Sequence, residues 1–199
     1  MATIYDLKPA FQNFLRPIVN TLAHAGVTPN QITYLALVLS FVAGGAIAIT
    51  HGASWILLSI PAVMFLRMAL NAIDGMLAKE HDMRSDAGAM LNEMSDVLSD
   101  AALYLPFALI EGVSALWVVV FVIMAILTEM AGVLGGLIGG VRRYDGPMGK
   151  SDRAFVIGAL SLGLGVGILP EGWFDAIMII ATLMGVWTVL RRSMRGLPS

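Results

Sequence analysis

Residues 53–79 read ASWILLSIPAVMFLRMALNAIDGMLAK. From Ala53 to Ile73 the only charge is Arg67, and beyond it the stretch turns polar at Asp74 and Lys79. A helix needs roughly 20 apolar residues to cross the hydrocarbon of a bilayer. The stretch therefore predicts a membrane span whose C-terminal end is polar. Asn71 and Asp74 are three residues apart and Arg67 lies four before Asn71, so all three share one helix face. A carboxylate at such a place is costly unless it faces a cavity, pairs with a charge or binds an ion.

Working outward, five more runs resemble this one in apolarity. They cover Thr33–Thr50, about Met90–Ile110, Val113–Val141, Ala154–Leu169 and Phe174–Leu190. The third run holds Asp96 and Asp100, and the fourth is interrupted by Glu129. The pattern is continuous apolarity rather than alternation, which predicts helices and not strands. Composition agrees: 58% of the residues are hydrophobic and 13% are charged, where a soluble domain carries about a quarter. Mean hydropathy is +0.82. There is no cysteine, which excludes disulfides and thiolate metal sites. The expected fold is all-α. It is a polytopic membrane protein of six transmembrane helices over 31–195, preceded by an interfacial amphipathic helix over 1–30, in a single domain spanning 1–199.

The first segment differs in kind. Ile4, Leu7, Phe11, Phe14, Leu15, Ile18 and Leu22 recur at helical spacing, with polar residues on the other face. That predicts a helix lying on the membrane surface. Pro9 and Pro17 are expected to interrupt it, and it lacks the compact apolar core of a signal peptide. Thr28-Pro29-Asn30 reads as the entry of the first span, with Thr28 as N-cap and Pro29 at the first helical position.

Charge sets the orientation. With six spans and the N-terminus inside, all the lysines and arginines except Arg67 fall on one side, and the opposite loops carry none. This is a strong positive-inside pattern. It places both termini in the cytoplasm, as in a bacterial inner or plasma membrane. Nothing in the chain suggests nucleic-acid binding.

A second polar stripe lies on the third run. Asn92, Asp96 and Asp100 are spaced by four, one helical turn per step. The connection from Glu80 to Ala87 is short, so the second and third helices are expected to be antiparallel neighbours whose stripes face each other across one pocket. Side-chain oxygens without His or Cys suit a hard cation such as Mg²⁺ or Mn²⁺. Gly75, Ala78 and Gly88 remove bulk beside the stripes. They leave room for a phosphate-bearing ligand, or serve close helix packing.

The segment resembles the signature of CDP-alcohol phosphatidyltransferases, Asp-x2-Asp-Gly-x2-Ala-Arg-x8-Gly-x3-Asp-x3-Asp. Without gaps it falls on Asn71, Asp74, Gly75, Ala78, Lys79, Gly88, Asn92 and Asp96. The first and third Asp are here Asn71 and Asn92, and the Arg is Lys79. Six helices, the interfacial helix and the Thr-Pro-Asn entry also resemble the family. The resemblance implies transfer of a phosphatidyl or phospho-alcohol group from a CDP-linked lipid or alcohol to an acceptor hydroxyl, with release of CMP. It implies CDP contacts at Asn71, Asp74, Gly75, Ala78, Lys79 and Gly88. It implies ligands at Asp74, Asp96, Asn71 and Asn92 for two divalent ions held against the diphosphate, and a general base at Asp96. Asp100 and Glu93 stand where they could replace the missing carboxylates. The resemblance also implies a homodimer among membrane lipids.

A basic loop, Arg142 to Arg153, opens the fifth span. Arg142, Arg143, Lys150 and Arg153 are candidates to hold an acceptor or phosphate near a helix N-terminus, although a positive-inside loop predicts the same residues. Arg191, Arg192 and Arg195 read as topology anchors. Arg67, Asp100 and Glu129 reach similar depth, about 15–18 Å from their helix ends at 1.5 Å per residue. The expectation is an ion pair of Arg67 with Asp100, Glu129 or both, as a floor beneath the pocket. Two other readings stay open. One is a relative that binds a CDP-lipid with little or no turnover. The other is a cation or proton transporter using Asp74, Asp96 and Asp100, which the apolar outer halves of the helices disfavour.

Overall fold

The computed structural model describes residues 4–197, with side chains from Pro9. The expectations that fall on residues 1–3 and on the side chains of Ile4 and Leu7 lie outside the described residues. Within them the chain is all helical, without strands: α1 Ile4–His24, α2 Pro29–Thr50, α3 Ser54–Glu80, α4 Asp86–Tyr104, α5 Ala115–Gly139, α6 Lys150–Val166 and α7 Trp173–Gly196. A 3₁₀ turn, Leu105–Leu109, follows α4.

Four helices, α2, α3, α5 and α7, are long and apolar enough to cross a membrane. The other two of the six expected spans fall short of that measure. Helix α4 carries Asp86, Glu93, Asp96 and Asp100, and α6 has only 17 residues.

Local chemistry sets the helix ends. Thr28 caps α2 as expected: its backbone N–H donates to Gln31 Oε1 at 2.9 Å and its hydroxyl accepts from the Gln31 N–H at 3.4 Å. Helix α4 begins at Asp86, a turn earlier than Met90, because the Ser85 hydroxyl accepts the Gly88 N–H at 3.0 Å. It stops at Tyr104 rather than Ile110, because Pro106 cannot continue the hydrogen-bond ladder. Helix α6 begins at Lys150 rather than Ala154, where Asp152 Oδ2 accepts the Gly149 N–H at 2.9 Å. Helix α7 runs past Leu190 to Gly196, so its arginines are helical.

Pro9 and Pro17 do not interrupt α1. Pro17 is exposed, and so is Asn13, whose carbonyl would otherwise bond to residue 17, so no buried group is orphaned. Leu15 and Val19 of α1 pack with Ile32 and Ala36 of α2 and with Leu70, Ile73 and Leu77 of α3. Phe14 and Ile18 stay exposed beside them. Arg16 fixes the helix with bonds of 3.1 Å to both Glu80 carboxylate oxygens.

The main core joins α2, α3, α4, α5, α6 and α7 through Ile47, Ile60, Leu103, Tyr104, Phe121, Ile157 and Met178. Helix α2 packs on both α3 and α4, and α3 packs on α6. Helices α3 and α4 face each other across a cavity, as expected, without close backbone packing: α2 and α6 supply the large contacts of α3. The reason is polar. Arg67 reaches across from α3 to Asp100 on α4, and a guanidinium between two helices holds their backbones apart. Close approach occurs instead between α2 and α4, where any side chain at Gly44 would collide with the carbonyl of Ala102.

Candidate active site

The gap between α3 and α4 opens into a cavity of about 950 Å³. Asn71, Asp74, Gly75, Ala78 and Lys79 line it from α3, and Gly88, Asn92, Glu93 and Asp96 line it from α4. The start of α2 adds Asn30 and Thr33, while Glu129, Arg142, Tyr144, Lys150 and Arg192 form the far wall. Every position that the motif singles out therefore meets one space. The two glycines differ in use. At Gly75 nothing lies within 4 Å of where a Cβ would stand, so the residue leaves open volume. At Gly88 a Cβ would lie 2.9 Å from Asn30 Oδ1 and from the Ser85 hydroxyl, so its absence serves close packing.

Asp74 is buried at 5% exposure. Thr33 donates its hydroxyl to Asp74 Oδ2 at 2.9 Å, from α2 to α3. Asp96 is held differently, in an ion pair with the Lys150 ammonium at the first position of α6. Asp74 and Asp96, with the amides of Asn71 and Asn92, give the cavity an all-oxygen donor set. That chemistry suits a hard cation. Among the described residues no three His, Cys, Asp or Glu side chains converge as a metal site. The set thus fits one divalent ion with amide or water oxygens completing its shell, and is short of carboxylates for two.

Beneath the cavity lies a chain of alternating charge. Arg67 Nη2 approaches Asp100 Oδ1 at 2.7 Å and donates to the Asp96 carbonyl at 3.2 Å. Its contact with Asp100 is close but off the hydrogen-bond direction, so Asp100 Oδ1 has charge proximity without a directed bond. Arg153 donates to Asp100 Oδ2 at 2.9 and 3.2 Å, to Glu129 Oε1 at 2.7 Å and to the Thr128 hydroxyl at 2.8 Å. Arg142 donates to Glu129 Oε2 at 2.9 Å, pairs with Glu93 and stacks over the Tyr144 ring at 5.1 Å. Burying one member of such a set without its partners would be very costly; together they satisfy each other.

These contacts correct several expectations. Of the two partners expected for Arg67, Asp100 is the one found, while Glu129 is held by Arg153 and Arg142. Asp100 does not line the cavity and is 2% exposed between two guanidiniums, so it is a floor residue and not a metal ligand. Arg153 is 1% exposed and fully engaged, which removes it from phosphate binding. Arg143 also lies outside the cavity wall, with its backbone N–H on the Gly132 carbonyl at 3.1 Å. Arg142 and Lys150 do line the cavity. Arg192 is more than a topology anchor: it is 2% exposed and donates to the Thr128 carbonyl at 2.5 Å and the Asp145 carbonyl at 3.0 Å. Sequence reasoning missed Thr33, whose only signal is its place one turn into α2 after the Thr-Pro-Asn entry.

Comparison with known proteins gives the family and the fold. The family model described as CDP-alcohol phosphatidyltransferase matches residues 26–187. Inner membrane protein YnbA of Escherichia coli K12 is 44% identical over 192 residues, covering 96% of this chain and 94% of that protein. Mycobacterium tuberculosis phosphatidylinositol phosphate synthase (PgsA1) has the same fold. Its structure with CDP-DAG bound superposes with a TM-score of 0.75 at 16% identity, covering 90% of this chain and 92% of that one. Its structure with manganese and citrate also gives 0.75 at 16% identity, covering 90% and 87%.

Proposed function

The chain belongs to the CDP-alcohol phosphatidyltransferase family, and from that premise we propose that it is a membrane phosphotransferase of phospholipid biosynthesis. It moves a phosphatidyl or phospho-alcohol group from a CDP-linked lipid or alcohol to an acceptor hydroxyl and releases CMP. The observation that carries the reading is the convergence of Asn71, Asp74 and Gly75 of α3 with Asn92 and Asp96 of α4 on one cavity. The likeness to PgsA1, one of whose structures holds CDP-DAG, supports it.

The chain's own residues do the following. Gly75 and Ala78 leave space on the α3 wall for the nucleotide, and Lys79 and Arg142 offer charge to its phosphates. Asp96 accepts the acceptor's hydroxyl proton as the oxygen attacks the β-phosphorus. The bond from that phosphorus to the bridging oxygen breaks, and CMP leaves with the electron pair. Asp74 and Asp96, with the amide oxygens of Asn71 and Asn92, would hold a divalent cation, Mg²⁺ or Mn²⁺, which when bound neutralises phosphate charge. Manganese in the other PgsA1 structure supports this assignment. The floor of Arg67, Asp100, Arg153 and Glu129 keeps water and charge from leaking toward the membrane interior.

Placement follows the charge pattern. We infer a single six-span domain, with α4 and α6 crossing inside the bundle where their polar residues are covered. Helix α1 lies on the cytoplasmic surface with Phe14 and Ile18 toward lipid, and both termini and the cavity mouth are cytoplasmic. The likeness to an inner membrane protein supports an inner-membrane location. Homodimer formation follows the family.

Two observations favour a second reading, binding of a CDP-lipid with little turnover: two motif carboxylates are amides, and Lys150 sits on Asp96. Purified protein with CDP-diacylglycerol, Mg²⁺ or Mn²⁺ and a panel of alcohols separates the two. CMP release dependent on the acceptor is the expected result. Binding without CMP from any acceptor favours the second reading, and absence of both removes the site assignment.

A further inference from the structure

We propose that Lys150 supplies, from within the chain, one of the positive charges that the diphosphate site requires, so that the site takes one divalent cation where the family resemblance implies two. The proposal rests on the CDP-site reading above and concerns how that site balances its charge.

The first ground is the donor set. Four carboxylates can neutralise two divalent ions. Here Asn71 and Asn92 leave Asp74 and Asp96 as the carboxylates of the motif, enough formal charge for a single divalent ion; of the other carboxylates on the cavity wall, Glu93 and Glu129 pair with Arg142, Asp152 caps Gly149, and Asp86 lies in the first turn of α4. The nearest substitutes are spoken for. Asp100 is buried between Arg67 and Arg153, and Glu93 is paired with Arg142. No third carboxylate joins Asp74 and Asp96 among the described residues.

The second ground is the position of the ammonium. Lys150 is a cavity residue with its side chain 25% exposed, and its partner is Asp96, the carboxylate of the last motif position. Its placement is built. The Asp152 carboxylate caps Gly149 and fixes the first turn of α6, from which Lys150 projects across to α4. Beneath it Asp100 is charge-paired with Arg67 and Arg153, and Asp96 is the anion that Lys150 meets. A lysine ammonium is a compact point charge with three donors and is well suited to phosphate oxygens. With diphosphate in the cavity it can bridge Asp96 and a phosphate oxygen, holding a place that a second metal would otherwise take.

The test counts metals. Full-length protein in nanodiscs is titrated with Mn²⁺ in the presence of CDP-diacylglycerol, and bound Mn²⁺ per chain is read by electron paramagnetic resonance. The unmodified chain is expected to bind one, and Asn71→Asp with Asn92→Asp and Lys150→Met to bind two. Lys150→Met is expected to keep one Mn²⁺ and weaken CDP-diacylglycerol binding by at least about tenfold, with Lys150→Arg restoring most of it. Two Mn²⁺ on the unmodified chain would overturn the proposal while leaving the CDP site intact. So would unchanged lipid affinity in a folded Lys150→Met variant. Failure of the unmodified chain to bind CDP-diacylglycerol would remove the site reading and this inference with it.

Discussion

Asp96 and Asp100 stand one turn apart on the same helix, yet they belong to two different regions. Asp96 faces the cavity, has a side chain 13% exposed and meets one ammonium. Asp100 faces the floor, has a side chain 3% exposed and meets two guanidiniums. In the floor, cations and carboxylates alternate and each charge is answered. In the cavity, Asp74 has a hydroxyl and Asp96 a single lysine, which leaves lone pairs free for a ligand. The same residue type is structural where counter-charge is complete and open to chemistry where it is not. Desolvation explains the difference: a carboxylate deep in a bundle persists only if fully paired, whereas one on a wet cavity can wait for its partner.

The contrast can be broken experimentally, beginning with the floor. Arg153→Met leaves Asp100 and Glu129 buried without their shared partner and is expected to destabilise the protein by roughly 3–5 kcal/mol. Thermal unfolding in detergent measures it. A loss below about 1 kcal/mol would mean the floor is not structural.

The cavity should behave in the opposite way. Asp96→Asn is expected to cut CMP release by roughly 100-fold or more, since the proton acceptor is gone, with only a small shift in melting temperature. Equal collapse of stability and activity would erase the distinction between the two aspartates.

A double-mutant cycle sharpens the floor itself. Arg67→Met and Asp100→Asn touch one contact, so their stability losses should be non-additive by roughly 0.5–3 kcal/mol. Arg67→Met with Glu129→Gln should couple more weakly, because Arg153 stands between the two groups. Equal coupling in both pairs would show that the charges act as one pool.

The smallest effect lies outside both regions. Asp145, in the loop between α5 and α6, pairs with Arg195 of α7, whose side chain is 54% exposed. Slight burial pushes the Asp145 carboxyl up, but the hydrogen bond and charge of Arg195 more than reverse this and hold it below its ordinary value of 3.8. A depressed carboxyl adds stability above its unfolded value and loses it as pH falls through the folded value. Asp145→Asn should therefore cost under about 1 kcal/mol at neutral pH, and the difference from the unmodified chain should vanish in acid. A pH series of unfolding midpoints checks the sign.

Much of this arrangement was legible in the chain. The apolar runs marked the helices, and Thr28-Pro29-Asn30 marked the start of α2. The spacing of Asn71 with Asp74 and of Asn92 with Asp96 gave two polar stripes that do share a cavity. Helix ends were less legible. The start of α4 at Asp86 depends on a serine cap inside a polar loop, and hydropathy does not register such caps. The partners of the charged residues were the least legible. Lys150 and Arg153 lie three apart on one helix, and spacing alone treats them as a pair of phosphate ligands. In the fold one enters the cavity and the other the floor.

What the sequence determined by itself is therefore periodic and local: which segments are helical and apolar, which faces are polar, and which residue types a divalent site would lack. Only the tertiary structure decided which carboxylate meets which cation, that Thr33 bonds to Asp74, and that α2 rather than α3 packs closely on α4. The physical reason is geometric. A helix face follows from neighbours three and four residues away, but a partner 53 or 54 residues away depends on how far each helix slides and turns. That is set by contacts such as Gly44 against the Ala102 carbonyl, to which a one-dimensional pattern is blind.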